Sequence, residues 1–340
     1  MSAPVLWDLF CRVIDNHGDL GVCWRLARDL VARGQRVRLW VDDPSALAWM
    51  APDRPAGIDV HAWPGGGADV RPGDVVIEAF GCEPPPAFIA RMAARQPQPR
   101  WINLEYLSAE GYVERSHGLA SPQFSGPGVG LTKHFFYPGF TPRTGGLLRE
   151  PGLLERILTF DGRDWLARQG WAPRPDERVV SLFAYANARL PALLDELATQ
   201  PTLLLACPGP LQAQVADQPG LRTMALPYQS QDDYDRLLWA CDLNFVRGED
   251  SFVRAHWAGK PFVWQIYPQD DGAHAAKLEA FIATAQLPAR WAAFWRGWNG
   301  LAPLPALLVP DPPQALNWRA HLAQQPDLVS QLLGFLGVSR

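Results

Sequence analysis

The sequence predicts an α/β protein of two successive halves, each a parallel sheet covered by helices, and three observations lead there. At 340 residues the chain exceeds one typical domain and suits two that each bury a core. Residues 6–41 read strand, loop, helix, strand, which is how a parallel sheet begins, since parallel neighbours need a crossover between them. After Asp161 the same alternation starts again.

Residues 6–14 are apolar enough for a buried first strand, broken by Asp15-Asn16-His17-Gly18-Asp19. From Leu20, the residues Cys23, Trp24, Ala27, Leu30 and Val31 recur at helical spacing until Gly34 ends the element. Strands follow at 36–41, 58–62, 75–79 and 101–104, with a helix at about 86–95. The Gly/Pro-rich region 105–148, with a short apolar patch at 134–137, reads as a long loop of the functional or mobile kind. In the second half, strands are expected at 179–183, 202–206 and near 222–226, and helices at 191–199 and about 232–240. Residues 244–266 form one more strand, helix and strand, the helix stopped by Gly259 and Pro261. Residues 273–284, 290–298 and 315–336 look helical. Domain boundaries are drawn at 1–155 and 156–319, a terminal helix at about 320–340 packing back on the first.

A net charge of −4 and the lack of a basic run give no pull toward nucleic acid or an anionic membrane. Five cysteines, an odd number without a CxxC pair, read as buried free thiols. The opening MSAPVLWDLFCRVID lacks a signal-peptide pattern and no apolar run is long enough to span a bilayer, so a cytoplasmic protein is expected.

Chemistry is expected at strand exits. Asp15 and Asp19 flank a turn after the first strand, on the ligand side of such a sheet, as candidate acid/base groups; Asp19 is equally suited to capping the next helix. Glu249, Asp250 and Ser251 open a helix after a tight turn at Arg247-Gly248, where backbone N–H groups and the helix dipole favour a phosphate. Capping alone would explain those three residues, but not Arg247, the paired carboxylates or the aromatic strand ending in Tyr267-Pro268-Gln269. Phe183-Ala184-Tyr185 with Asn187, and Tyr228 with Gln231, could stack on and hydrogen-bond a base, or pack and cap. There is no GxGxxG, P-loop, GxSxG or zinc-type histidine spacing, and Gly65-Gly66-Gly67 reads as a connection.

Taken together, CRVIDNHGDLGVCWRLARDL, SLFAYAN and DDYDRLLWACDLNFVRGEDSFVRAHWAGKPFVWQIYPQ resemble the EarP family, protein-arginine rhamnosyltransferases that modify bacterial elongation factor P. The resemblance implies a GT-B architecture of two Rossmann-like domains facing a central cleft, dTDP-β-L-rhamnose as donor, one arginine of elongation factor P as acceptor, inversion at the sugar, and no cofactor or metal. It implies catalytic roles for Asp15, Asp19 and Glu249, with Asn16, His17 and Gly18 on the acceptor loop. It implies donor contacts from Phe183, Tyr185, Tyr228, Gln231, Arg247, Gly248, Asp250, Ser251 and Tyr267, the base near Tyr228 and Gln231 and the diphosphate near Asp250-Ser251. The residues by themselves leave two alternatives: a nucleotide-sugar epimerase or other enzyme without a protein acceptor, and a non-catalytic two-domain binding protein.

Overall fold

The computed structural model describes residues 4–14, 17–63, 70–269 and 272–338. The chain forms two units, Met1–Pro151 with Gln325–Arg340, and Gly152–Gln324.

Unit 1 runs β1 (Leu6–Cys11), α1 (Gly18–Ala32), β2 (Arg36–Val41), α2 (Leu47–Met50), β3 (Ile58–Ala62), β4 (Val75–Ala79), α3 (Pro86–Ala94), β5 (Arg100–Leu104), α4 (Gly111–Ser116), β6 (Ala120–Pro122) and β7 (Thr132–Phe136). Its sheet is ordered β3-β2-β1-β4-β5-β7-β6, parallel except for the antiparallel edge strand β6. The inner strands carry near-continuous apolar runs because helices cover both faces. Phe10, Trp40, Phe88 and Trp101 meet on one of them, Phe10 stacked on Trp40 at 5.6 Å. A charge is buried in that core too: Asp8 accepts from Arg38 Nη2 at 2.7 Å, Trp40 Nε1 at 2.8 Å and Gly73 N at 2.6 Å, so its carboxylate is fully occupied.

Unit 2 runs α5 (Leu153–Leu158), α6 (Gly162–Arg168), β8 (Arg178–Leu182), α7 (Leu190–Leu197), β9 (Thr202–Ala206), β10 (Leu221–Ala225), α8 (Gln231–Ala240), β11 (Leu243–Arg247), α9 (Asp250–Ala258), β12 (Phe262–Gln265), α10 (Ala273–Thr284), α11 (Ala289–Trp298) and α12 (Pro312–Ala323). Its sheet is wholly parallel, ordered β10-β9-β8-β11-β12. The last helix, α13 (Leu328–Leu336), belongs to unit 1.

Three sequence expectations change. The region 105–148 is no structureless loop: it holds α4, a 3-10 turn at Gly126–Gly128, and the strands β6 and β7. β7, TKHFF, escaped because Lys133 breaks its apolar pattern, and that lysine is accommodated in the sheet by Glu78, 2.6 Å away. The single helix expected at 315–336 is two, because Pro326 cannot continue a helix and Asp327 caps the next one through Ser330 N at 2.8 Å. The first strand stops at Cys11, and Ile14 is exposed.

Candidate functional site

In each sheet the strand order reverses direction at one place, between β1 and β4 in unit 1 and between β8 and β11 in unit 2. Ligands of such sheets bind beyond the carboxyl ends of the strands at that reversal. Most of the singled-out residues lie at or just beyond the ends of β1, β8 and β11, whereas Tyr228 and Gln231 follow β10 and Tyr267 follows β12.

In unit 1, the loop after β1 carries Asp15 and Asn16, which lie outside the described residues. His17 is the N-cap of α1 without a side-chain capping bond, and its ring meets Trp49 edge-on at 5.3 Å. Gly18 starts the helix, and Asp19, buried, sits in its first turn. Asp19 does not cap α1. Its Oδ2 accepts from Ile14 N at 2.9 Å, closing the loop, and its Oδ1 accepts from the hydroxyl of Tyr106 at 3.3 Å. Tyr106 follows β5, and its ring stacks on Phe80, which follows β4. Beside them Glu105 accepts from Asn103 Nδ2 at 2.8 Å, and burial pushes its carboxyl above the usual range. Burial also raises Glu78, against the opposing pull of Lys133.

In unit 2, β8 delivers Phe183 and Tyr185, and β11 delivers Arg247. The guanidinium carbon of Arg247 lies 4.4 Å from the ring centre of Phe183 and 4.6 Å from that of Tyr185. Both contacts are within cation–π range. Among the described residues no carboxylate pairs with this guanidinium. The rings are themselves held: Tyr185 N donates to Gln265 Oε1 at 2.9 Å, Tyr185 meets Tyr267 edge-on at 5.4 Å, and Phe183 meets Tyr234 at 5.6 Å.

Gly248 turns the chain in the left-handed region, φ 65°, and its carbonyl accepts from Trp264 Nε1 at 2.8 Å. Glu249 takes the N-cap position of α9 but makes no side-chain capping bond, so capping does not account for its carboxylate. Asp250 lies in the first turn, and the Ser251 hydroxyl donates back to Arg247 O. Tyr228 is exposed ahead of α8, whereas Gln231, in its first turn, is buried. Asn187 serves the fold, donating to Trp298 O at 2.9 Å and accepting from Arg189 N at 2.9 Å.

Two residues escaped the sequence reading. Tyr106 is one. Tyr234 is the other: burial, reinforced by Cys207, holds its phenol far above the ordinary range, with Ser251 acting in the opposite sense and Asp250 in the same. Its place three residues after Gln231, on one helix face, was the only available signal.

The family model described as Elongation-Factor P (EF-P) rhamnosyltransferase EarP matches residues 7–337. Among curated proteins, a protein-arginine rhamnosyltransferase of Pseudomonas aeruginosa is 46% identical over 97% of this chain and 98% of its own. One from Neisseria meningitidis serogroup B is 39% identical over 83% and 79%. A solved structure concerning EarP-mediated arginine glycosylation of translation elongation factor EF-P is similar at TM-score 0.65 and 35% identity, covering 99% of this chain and 100% of that one. The Streptomyces glycosyltransferase SsfS6, 11% identical, shares the fold at TM-score 0.55 over 98% and 100%. The architecture is that of the GT-B glycosyltransferases.

Proposed function

This chain belongs to the EarP family, and from that premise we propose that it moves L-rhamnose from dTDP-β-L-rhamnose to one arginine of elongation factor P with inversion at the anomeric carbon. It is a protein-arginine rhamnosyltransferase, and its protein partner is elongation factor P. The acceptor being a translation factor, the reaction belongs in the cytoplasm. Family membership displaces the epimerase and the non-catalytic readings.

The observation that carries the donor assignment is Arg247, a cation flanked by two aromatic rings at the start of α9 and unmatched by a carboxylate among the described residues. A guanidinium so placed, beside the N–H groups and the positive dipole end of a helix start, suits a diphosphate. Gly248, Asp250 and Ser251 would shape that end of the donor, Tyr228 and Gln231 the base, and Tyr267 the face beside Tyr185. With this cation meeting the charge that develops on the leaving group, the proposed reaction runs without metal or other cofactor.

The acceptor poses a separate problem. A guanidinium is protonated at any physiological pH and is a poor nucleophile, and a carboxylate of ordinary basicity cannot deprotonate it in the ground state. As a guanidinium nitrogen forms its bond to the anomeric carbon and the bond from that carbon to the diphosphate oxygen breaks, the N–H becomes far more acidic. Asp15 takes that proton late in the step, and the dTDP anion leaves. Asp19 accepts from another N–H group and keeps the reacting nitrogen in line, and Glu249 is the third carboxylate proposed to act in catalysis.

Intact-mass measurement of elongation factor P after incubation with the enzyme and dTDP-rhamnose tests the reaction. One deoxyhexose on one arginine is expected, and an unchanged mass with active donor would refute it. Asp15→Asn should abolish transfer while leaving donor binding by calorimetry nearly intact; unchanged turnover removes Asp15 from the role of base.

A further inference from the structure

Phe80 adopts a left-handed backbone, φ 58°, directly beyond β4. That conformation is costly for a bulky residue and persists where its surroundings enforce it. Here its N–H is fixed to Leu104 O at 2.7 Å, and its ring lies flat on Tyr106, centroids 4.3 Å apart and planes inclined by 13°. Tyr106 in turn gives its hydroxyl to Asp19 Oδ1.

Core packing does not explain this arrangement. Tyr106 is 37% exposed, and the loop after β1 is already closed by the bond from Ile14 N to the other oxygen of Asp19. What the phenol adds is direction. The terminal torsion of a carboxylate is broad, and donors from separate segments on its opposite oxygens, here Ile14 N and the Tyr106 hydroxyl, hold its plane. A planar guanidinium received through parallel N–H···O bonds needs that plane fixed to within about 10–20°.

We propose that Tyr106 is a positioning residue that sets the plane of the Asp19 carboxylate for the acceptor guanidinium, and that the strained Phe80 ring holds Tyr106 to that task. The inference rests on the reading of Asp19 as an acceptor-side group.

Tyr106→Phe keeps the stacked ring and removes only the hydroxyl. About a tenfold fall in kcat is expected, the strength of one hydrogen bond to a charged group, with donor KM and melting temperature unchanged. Phe80→Gly removes the ring and relieves the backbone, so it should lower kcat in the same sense without lowering the melting temperature. In the Asp19→Asn background, Tyr106→Phe should cost little more, because the group it orients has gone. If Tyr106→Phe keeps wild-type kcat while Asp19→Asn loses most turnover, the positioning role is wrong and the reading of Asp19 stands. An equal loss from Tyr106→Phe in both backgrounds also overturns it. Full activity in Asp19→Asn overturns both.

Discussion

Arg247 is a cation held between two aromatic rings, the arrangement on which the proposed donor site rests. Its charge is not neutralised within the described residues, and its plane is defined by Phe183 and Tyr185 instead of by a carboxylate. Lysine would keep the charge and lose the flat, forked geometry. Arg247→Lys should therefore weaken dTDP binding about tenfold, and Arg247→Ala on the order of a hundredfold, measured by calorimetry. Equal affinities in all three proteins would take Arg247 out of the donor site. The thiols illustrate the opposite case: all five cysteines are buried and free, and burial lifts Cys82 and Cys207 to about 12. At pH 8 the thiolate fraction of either is about one in ten thousand, so alkylation should stall in the native protein and proceed in denaturant. Arg247 was legible because chemistry-bearing residues crowd one short stretch of sequence. Tyr106 was not, because its meaning lies in a partner 87 residues away across the sheet.

Among the described helices, α9 is the most completely enclosed. Every residue from Ser251 to Ala258 is buried, including Arg254, whose guanidinium is matched by Asp235 of α8 at 3.0 and 2.6 Å. Truncating either partner would strand a buried charge, at a cost of about 3–5 kcal/mol. The sequence predicted this helix but not that it is buried nearly all round, since an arginine reads as solvent until its partner is known. His256, on the same helix, accepts from Trp318 Nε1 of α12 at 3.1 Å, and burial lowers its pKa to about 3. The ring is thus neutral in the fold, while an unfolded histidine protonates below about 6.5. The unfolded state binds the extra proton, so this contribution is complete above about pH 6.5 and declines as pH falls toward 3, by on the order of 4 kcal/mol. Unfolding free energies of His256→Gln should accordingly depend less steeply on pH between 6.5 and 4 than those of wild type; parallel curves would contradict the assignment.

The whole chain is a GT-B enzyme whose second unit interrupts the first. The alternation of strands and helices made the two parallel sheets readable, but their order was not, because it depends on crossovers that residue patterns do not encode. The return of α13 to unit 1 is secured by Leu332 and Leu333, both buried, and by Arg33 of α1, which reaches Asp327 and Ser330 at 2.7 Å each. Beneath that contact Asp29 is pushed up to about 6 by burial, in spite of Arg33. Leu332→Ala should cost about 2–5 kcal/mol and speed amide hydrogen exchange in β1, β2 and β4 more than in β8, β9 and β11. Loss of protection to the same extent in both sheets would show that α13 is not a part of unit 1 alone.

The path of the polypeptide has a consequence during synthesis. The segment that completes unit 1 leaves the ribosome after all of unit 2, so a nascent chain can fold its second unit while the first still awaits its closing helix. An incomplete translation product thereby lacks α13, and with it the salt bridge and buried leucines that finish its first unit.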